Sequence, residues 1–165
     1  INEEYLVATI HRPYNTDIEK NLIRILKAFS KIPYRIILPI HPRTKKRLED
    51  LPQSVLNEIS TTNLRIIDPV GYYEMLDLVK NSKAVLTDSG GLQKEAMWLK
   101  TPCVTLRSET EWIETVNTGW NEIVGNDTDK ILNSINNLDN RKLSDDGISH
   151  NSPCSQIAKL LKNTH

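Results

Sequence analysis

Short apolar, β-rich runs alternate with helical patterns along almost the whole chain, and this alternation restricts the fold more than any other feature. Strand-like runs lie at Tyr5–Ile10, Arg35–Ile40, Leu64–Ile67, Ala84–Thr87, Cys103–Leu106 and Glu122–Val124. Helical patterns fill the gaps. Leu22, Ile25, Leu26, Phe29 and Ile32 recur at helical spacing, and Pro33 closes that helix. Thr16-Asp17-Ile18-Glu19 has the form of a capping box that would open it. Further helices are expected from Thr44 towards Pro52, at Ser54–Ile59, Tyr72–Asn81, Leu92–Leu99, Glu111–Thr118 and Asp127–Leu138, and from about Ser155 to Leu161.

Strict alternation of this kind calls for βαβ units, hence a doubly wound parallel α/β sheet of about six strands, Rossmann-like, with helices on both faces. Nearly continuous apolar strands agree, because a parallel sheet is covered on both sides. The chain of 165 residues is long enough for one domain with a sizeable core. No linker divides it, so residues 1–165 are expected to form a single domain. The polar stretch Asp139–Pro153 reads as a surface connection.

Composition removes several function classes. Lys plus Arg and Asp plus Glu are both 21, a net charge of zero, which argues against a polyanion-binding surface and thus against nucleic acid as a partner. No run of about 18 apolar residues exists, so no membrane span is expected. Cys103 and Cys154 do not make a disulfide framework, and Cys103 in its apolar run reads as a buried small hydrophobe. A cytoplasmic location follows. No His, Cys, Asp or Glu grouping has zinc spacing, so no metal is expected. The start at Ile1 lacks a Met and enters a strand almost at once, as in a piece of a longer protein.

In open α/β sheets, ligands bind beyond the carboxyl ends of the strands. Chemically capable residues collect there: His11-Arg12-Pro13-Tyr14-Asn15 after the first strand and His41-Pro42-Arg43 after the second. Asp88-Ser89-Gly90-Gly91 follows the fourth, and Arg107-Ser108-Glu109-Thr110-Glu111 the fifth. Asp88-Ser89-Gly90-Gly91 joins a strand directly to a helix, where glycines admit a close ligand and free N–H groups favour phosphate. Glu95, one turn on, is placed to accept ribose hydroxyls. Read locally, the segment equally fits a plain glycine-rich turn with Glu95 in solvent. It is neither a Walker loop nor a GxGxxG loop, which leaves ATP and NAD unsupported. His11 could donate to a phosphate, act as acid or base, or be structural. Arg12 and Arg107 could pair with phosphate or with carboxylates. His41, fixed in extended geometry by Pro42, fits bracing better than reaction. Trp98, Trp112 and Trp120 fit packing roles better than base stacking.

Four segments in order and register resemble the non-hydrolysing UDP-N-acetylglucosamine 2-epimerases. Thr9-Ile10-His11-Arg12 with Asn15 resembles that family's T-x-H-R-x-x-N segment, and His41-Pro42-Arg43 its H-P-N. Asp88-Ser89-Gly90-Gly91-Leu92-Gln93-Lys94-Glu95-Ala96 is similar to its D-S-G-G-x-Q-E-E-A signature. Arg107, Thr110-Glu111 and Glu114 resemble its R-x-x-T-E-R-P-E. The resemblance implies a two-lobed glycosyltransferase-B-type fold, with this chain as the C-terminal lobe and the N-terminal lobe absent. It implies that Ser89, Gly90 and Gly91 contact the diphosphate of a UDP-sugar and that Glu95 holds the ribose. His11 matches a histidine implicated in binding and catalysis, with Arg12 and Arg107 as further UDP-binding candidates. The implied reaction inverts carbon 2 of the sugar by elimination and re-addition of UDP, without metal or redox cofactor, and the resemblance also implies a homodimer. The rivals are a glycosyltransferase lobe of the same fold and a non-catalytic UDP-sugar-binding module.

The chain also departs from the family pattern. Trp112 and Ile113 stand where the family has Arg and Pro, as in branches that include enzymes of UDP-diacetamido-uronic acids. The stretch Asp145–His150 matches the family's P-Y-G-D-G poorly. The family's acid and base carboxylates lie mainly on the other lobe, so this chain alone is expected to bind UDP weakly and not to epimerise.

Overall fold

The structure, a computed structural model, describes residues 4–60 and 62–145. Among these residues, six strands form one all-parallel sheet: β1 (Tyr5–Thr9), β2 (Arg35–Pro39), β3 (Leu64–Ile67), β4 (Ala84–Thr87), β5 (Cys103–Thr105) and β6 (Asn121–Ile123). Their spatial order is β3-β2-β1-β4-β5-β6. The order reverses between β1 and β4, which pair Leu6 with Ala84 through Thr9 with Thr87. Connections leaving these two strands run to opposite faces, and a crevice opens between them.

Among the described residues, eight helices accompany the strands: α1 (Pro13–Thr16), α2 (Glu19–Lys31), α3 (Pro42–Glu49), α4 (Gln53–Ile59), α5 (Tyr72–Lys80), α6 (Gly90–Trp98), α7 (Ile113–Asn117) and α8 (Thr128–Asn136). A 3-10 turn, Leu138–Asn140, follows α8. Alternation along each strand divides the core between the two faces. Leu6, Ala8, Leu38, Leu86 and Val104 meet Leu22, Ile25 and Phe29 of α2 and Ile131 and Ile135 of α8. Tyr5, Val7, Ile37, Val85 and Cys103 meet Val79 of α5 and Leu92 and Ala96 of α6. Phe29 is fully buried, and truncating it to Ala would cost about 3–5 kcal/mol.

The structure corrects the expected capping box. Thr16 is the buried last residue of α1, and its hydroxyl donates to the Arg12 carbonyl at 3.1 Å. Helix α2 starts at Glu19 behind Ile18, with no side-chain cap. The cause is Pro13, which presets a helical φ and starts an extra turn inside what the sequence reads as a loop. Pro42 acts in the same way, so α3 begins there rather than at Thr44. Strand β3 is not covered on both faces: it is an edge, and Ile66 is 48% exposed. The described part of the polar stretch after α8, residues 139–145, lies at the surface and is tied to the sheet. Arg141 donates to the Cys103 carbonyl and to Glu122, each at 2.9 Å, and Trp120 Nε1 donates to the Ser144 carbonyl at 2.8 Å. The helix expected near Ser155, and Cys154, lie outside the described residues.

Candidate functional site at the sheet crossover

Asp88, at the end of β4, ties the rim together. It is completely buried. Its carboxylate accepts from the backbone amides of His11 (3.1 Å) and Arg12 (3.0 Å) and from Asn15 Nδ2 (3.1 Å). His11 Nδ1 lies 3.1 Å from its Oδ1. Asn15 Nδ2 also donates to the Leu106 carbonyl at 2.8 Å, so the exits of β1, β4 and β5 are locked to one another. Burial alone pushes the Asp88 carboxyl up, but the hydrogen bonds from His11, Arg12 and Asn15 outweigh it and hold the group below its ordinary range. Asp88 therefore stays ionised and has no surface left for a ligand. Its partner His11 carries the ring proton on Nδ1, which leaves Nε2 for whatever occupies the cleft that His11 lines.

Next along the chain, Ser89 is the N-cap of α6; its Oγ accepts from Leu92 N at 3.5 Å, and its own amide donates to Thr87 Oγ1 at 2.9 Å. The first amides of a helix, here those of Gly90 and Gly91, have no partner within it. The two glycines meet different surroundings. A Cβ on Gly90 would come within 3.3 Å of Glu111 Oε2 and 3.7 Å of an Arg107 guanidinium nitrogen. A Cβ on Gly91 would meet nothing within 4 Å. Helix α6 is anchored from below by Gln93, whose Oε1 accepts from Thr110 Oγ1 and from Asn121 Nδ2.

A cleft of about 280 Å³ opens beside this helix start. Ile40, Val70, Met75 and Leu92 give it apolar walls, and His11, Ser89 and Glu95 bring polar groups to its edge. Glu95 accepts a hydrogen bond from the Tyr72 hydroxyl at 2.8 Å. His41 also lines the cleft; its Nδ1 accepts from the Arg43 amide at 3.2 Å, capping α3, and its ring lies 5.9 Å from that of His11.

Arg12 and Arg107 are placed elsewhere. They flank a second hollow of about 370 Å³, with Tyr14 and Ser108. Arg107 is committed to a bidentate pair with Glu111 (2.8 and 3.0 Å). That pairing holds the Glu111 carboxyl down at about 2. The sequence candidates thus fall into two groups, one in the cleft and one beside it, with Gly90 between them. Sequence reasoning passed over the exit of β3, where Pro69, Val70 and Tyr72 join the site. The signal was available: Gly71 follows the strand there, and its amide donates to Glu74 Oε2 at 2.7 Å to start α5. Among the described residues, no group of three or more His, Cys, Asp or Glu side chains could hold a metal ion.

A model of the UDP-N-acetylglucosamine 2-epimerase family matches residues 1–155. The chain belongs to this family. It is 53% identical over 135 residues to a UDP-N-acetylglucosamine 2-epimerase homolog of Methanococcus maripaludis, covering 81% of this chain and 37% of that protein. It is 41% identical over 146 residues to the UDP-2,3-diacetamido-2,3-dideoxy-D-glucuronate 2-epimerase of Pseudomonas aeruginosa, covering 87% and 39%. The UDP-GlcNAc 2-epimerase of Methanocaldococcus jannaschii superposes with a TM-score of 0.82 at 37% identity, over 99% of this chain and 46% of that one. The same enzyme in complex with UDP-GlcNAc and UDP gives 0.77. A glycosyltransferase of kitacinnamycin, 13% identical with a TM-score of 0.59, shares the fold alone. The chain thus matches the C-terminal lobe of the epimerases and spans less than half the length of these relatives. Among the described residues, no helix is long and apolar enough to cross a membrane.

Proposed function

We propose that this chain is the nucleotide-binding lobe of a two-lobed UDP-sugar 2-epimerase, and that residues 1–165 form that lobe as one domain. The observation that carries the reading is the convergence, at the sheet crossover, of three groups on one cleft: the start of α6, the Glu95 carboxylate and the His11 ring. A UDP-sugar needs all three kinds of contact. The free amides of Gly90 and Gly91, with the Ser89 hydroxyl, suit phosphate oxygens. Glu95 takes the ribose hydroxyls in exchange for Tyr72. The apolar walls around Val70 and Met75 suit a flat base. His11, held by ionised Asp88, presents Nε2 to the leaving phosphate as a donor when the ring is protonated.

In the full protein, the proton at carbon 2 is removed while the C1–O bond breaks and UDP leaves with the bonding electrons. Addition of UDP back to C1, with a proton delivered to the opposite face of carbon 2, gives the epimer. The carboxylates that move this proton belong to the partner lobe. No metal or redox cofactor enters the sequence of steps. Arg12 and Arg107, beside the cleft rather than in it, act on the diphosphate side or on the closing lobe. The substrate is UDP-N-acetylglucosamine or a related UDP-sugar, and the full protein is a homodimer. A cytoplasmic location suits the free, buried thiol of Cys103.

The test is product identity. The complete protein, given UDP-N-acetylglucosamine, is expected to yield the carbon-2 epimer by NMR, with deuterium from solvent at that carbon. Transfer of the sugar to an acceptor, or no UDP affinity by calorimetry, would overturn the reading.

A further inference from the structure

Trp112 stands at the N-cap position of α7, and Lys94 lies in the second turn of α6. Both positions differ from the motif strings quoted for the family, and in this chain the two side chains touch. The Lys94 ammonium lies over the Trp112 ring, 4.1 Å from its centroid, and 5.5 Å from that of Trp98. Glu114 completes the arrangement with an ion pair to Lys94 at 3.1 Å. One face of the indole is thus covered by a cation whose charge is already matched, and the ring edge remains open to other contacts.

That edge points at the start of α6. Trp112 Nε1 lies 3.9 Å from where a Cβ on Gly90 would sit. It makes no hydrogen bond among the described residues. Arg107, the other donor nearest that point, is held by both oxygens of Glu111. Alongside the helix amides and the Ser89 hydroxyl, the indole N–H is therefore a donor left uncommitted beside Gly90. A cation on its π face draws electron density from the ring and strengthens that donor.

We propose that Trp112 is a binding residue of this site, its indole N–H donating to a phosphate oxygen of the diphosphate at the start of α6. Lys94 and Glu114 are the positioning residues that orient the ring. The inference rests on the UDP-sugar reading, and the two fail separately.

The experiment compares UDP affinity, by calorimetry on the complete protein, for the unsubstituted form, W112F and E95A. Phe keeps an aromatic ring for Lys94 to cover and removes the N–H along with part of the indole. W112F is expected to bind UDP about tenfold more weakly, the range for one hydrogen bond to a charged acceptor. A second measurement does not depend on how W112F folds. In the unsubstituted protein, the Trp112 indole proton resonance should move downfield on adding UDP. UDP affinity in W112F within about twofold of the unsubstituted protein, or an unmoved indole resonance at saturation, overturns the role of Trp112. If E95A still weakens binding in that case, the nucleotide reading stands. An unsubstituted protein with no UDP affinity overturns both.

Discussion

Two parts of the same rim, less than one helical turn apart in sequence, are built in opposite ways. Asp88 is fully buried and every contact it makes is internal: two backbone amides, one side-chain amide and one imidazole. Gly91, three residues on, is exposed and touches nothing that a Cβ would disturb. Glu95 and Arg107 belong with Gly91, since each is bonded to one exposed partner, Tyr72 or Glu111, that a ligand could replace. The Asp-Ser-Gly-Gly segment is therefore not one functional unit. Its first residue fixes the shape of the rim, and its last is open to what binds there.

The strongest way to break this contrast is Asp88→Asn. Removing one member of a buried, hydrogen-bonded pair should cost about 3–5 kcal/mol, read by denaturant unfolding. The pH dependence gives an independent check. Because the folded-state pKa of Asp88 is depressed, the unfolded chain takes up its proton first. Its stabilising contribution is present above the ordinary carboxylate value of 3.8 and lost as pH falls through the lower folded value. D88N should lack that part of the acid-induced loss; an identical acid profile would show that Asp88 is not the anchor.

Glu95→Ala should have the converse signature, unchanged stability with UDP binding weakened by about 1–3 kcal/mol. Affinity equal to that of the unsubstituted protein would remove Glu95 from the ligand side of the comparison. Gly91→Ala sharpens the contrast most finely. With open space around the new methyl, stability should hold or rise by about 0.4–1 kcal/mol, while UDP affinity falls because the phosphate loses its close approach. A gain in stability without a loss in affinity would mean that Gly91 faces no ligand. The smallest effect is expected for Glu111→Gln, whose carboxylate is largely exposed. Stability should not change measurably, because surface ion pairs contribute little. Any change in UDP affinity would report whether freeing Arg107 helps the ligand.

The fold class was legible because a βαβ chain must alternate apolar strands with amphipathic helices, and six such runs leave few other architectures. Element edges were less legible. Pro13 and Pro42 each opened a helix inside what reads as a loop, and the apparent Thr16 capping box lost to the turn that Pro13 started. The site was legible as a set of loops at strand ends, with one omission, the exit of β3 carrying Tyr72.

Sequence by itself determined the parallel α/β plan, the family to which the segments point, and the Asp88-Ser89-Gly90-Gly91 turn as the place to look. Tertiary structure decided what each residue does there. Whether a carboxylate faces a ligand or the interior depends on neighbours that are far away in the chain: Asp88 finds His11, Arg12 and Asn15 across more than 70 positions. Arg107, by contrast, is claimed by Glu111 only four residues on. Trp112 reaches Lys94 because α6 and α7 pack together. Chain order records none of these distances, since the folding of the sheet sets which loops become neighbours.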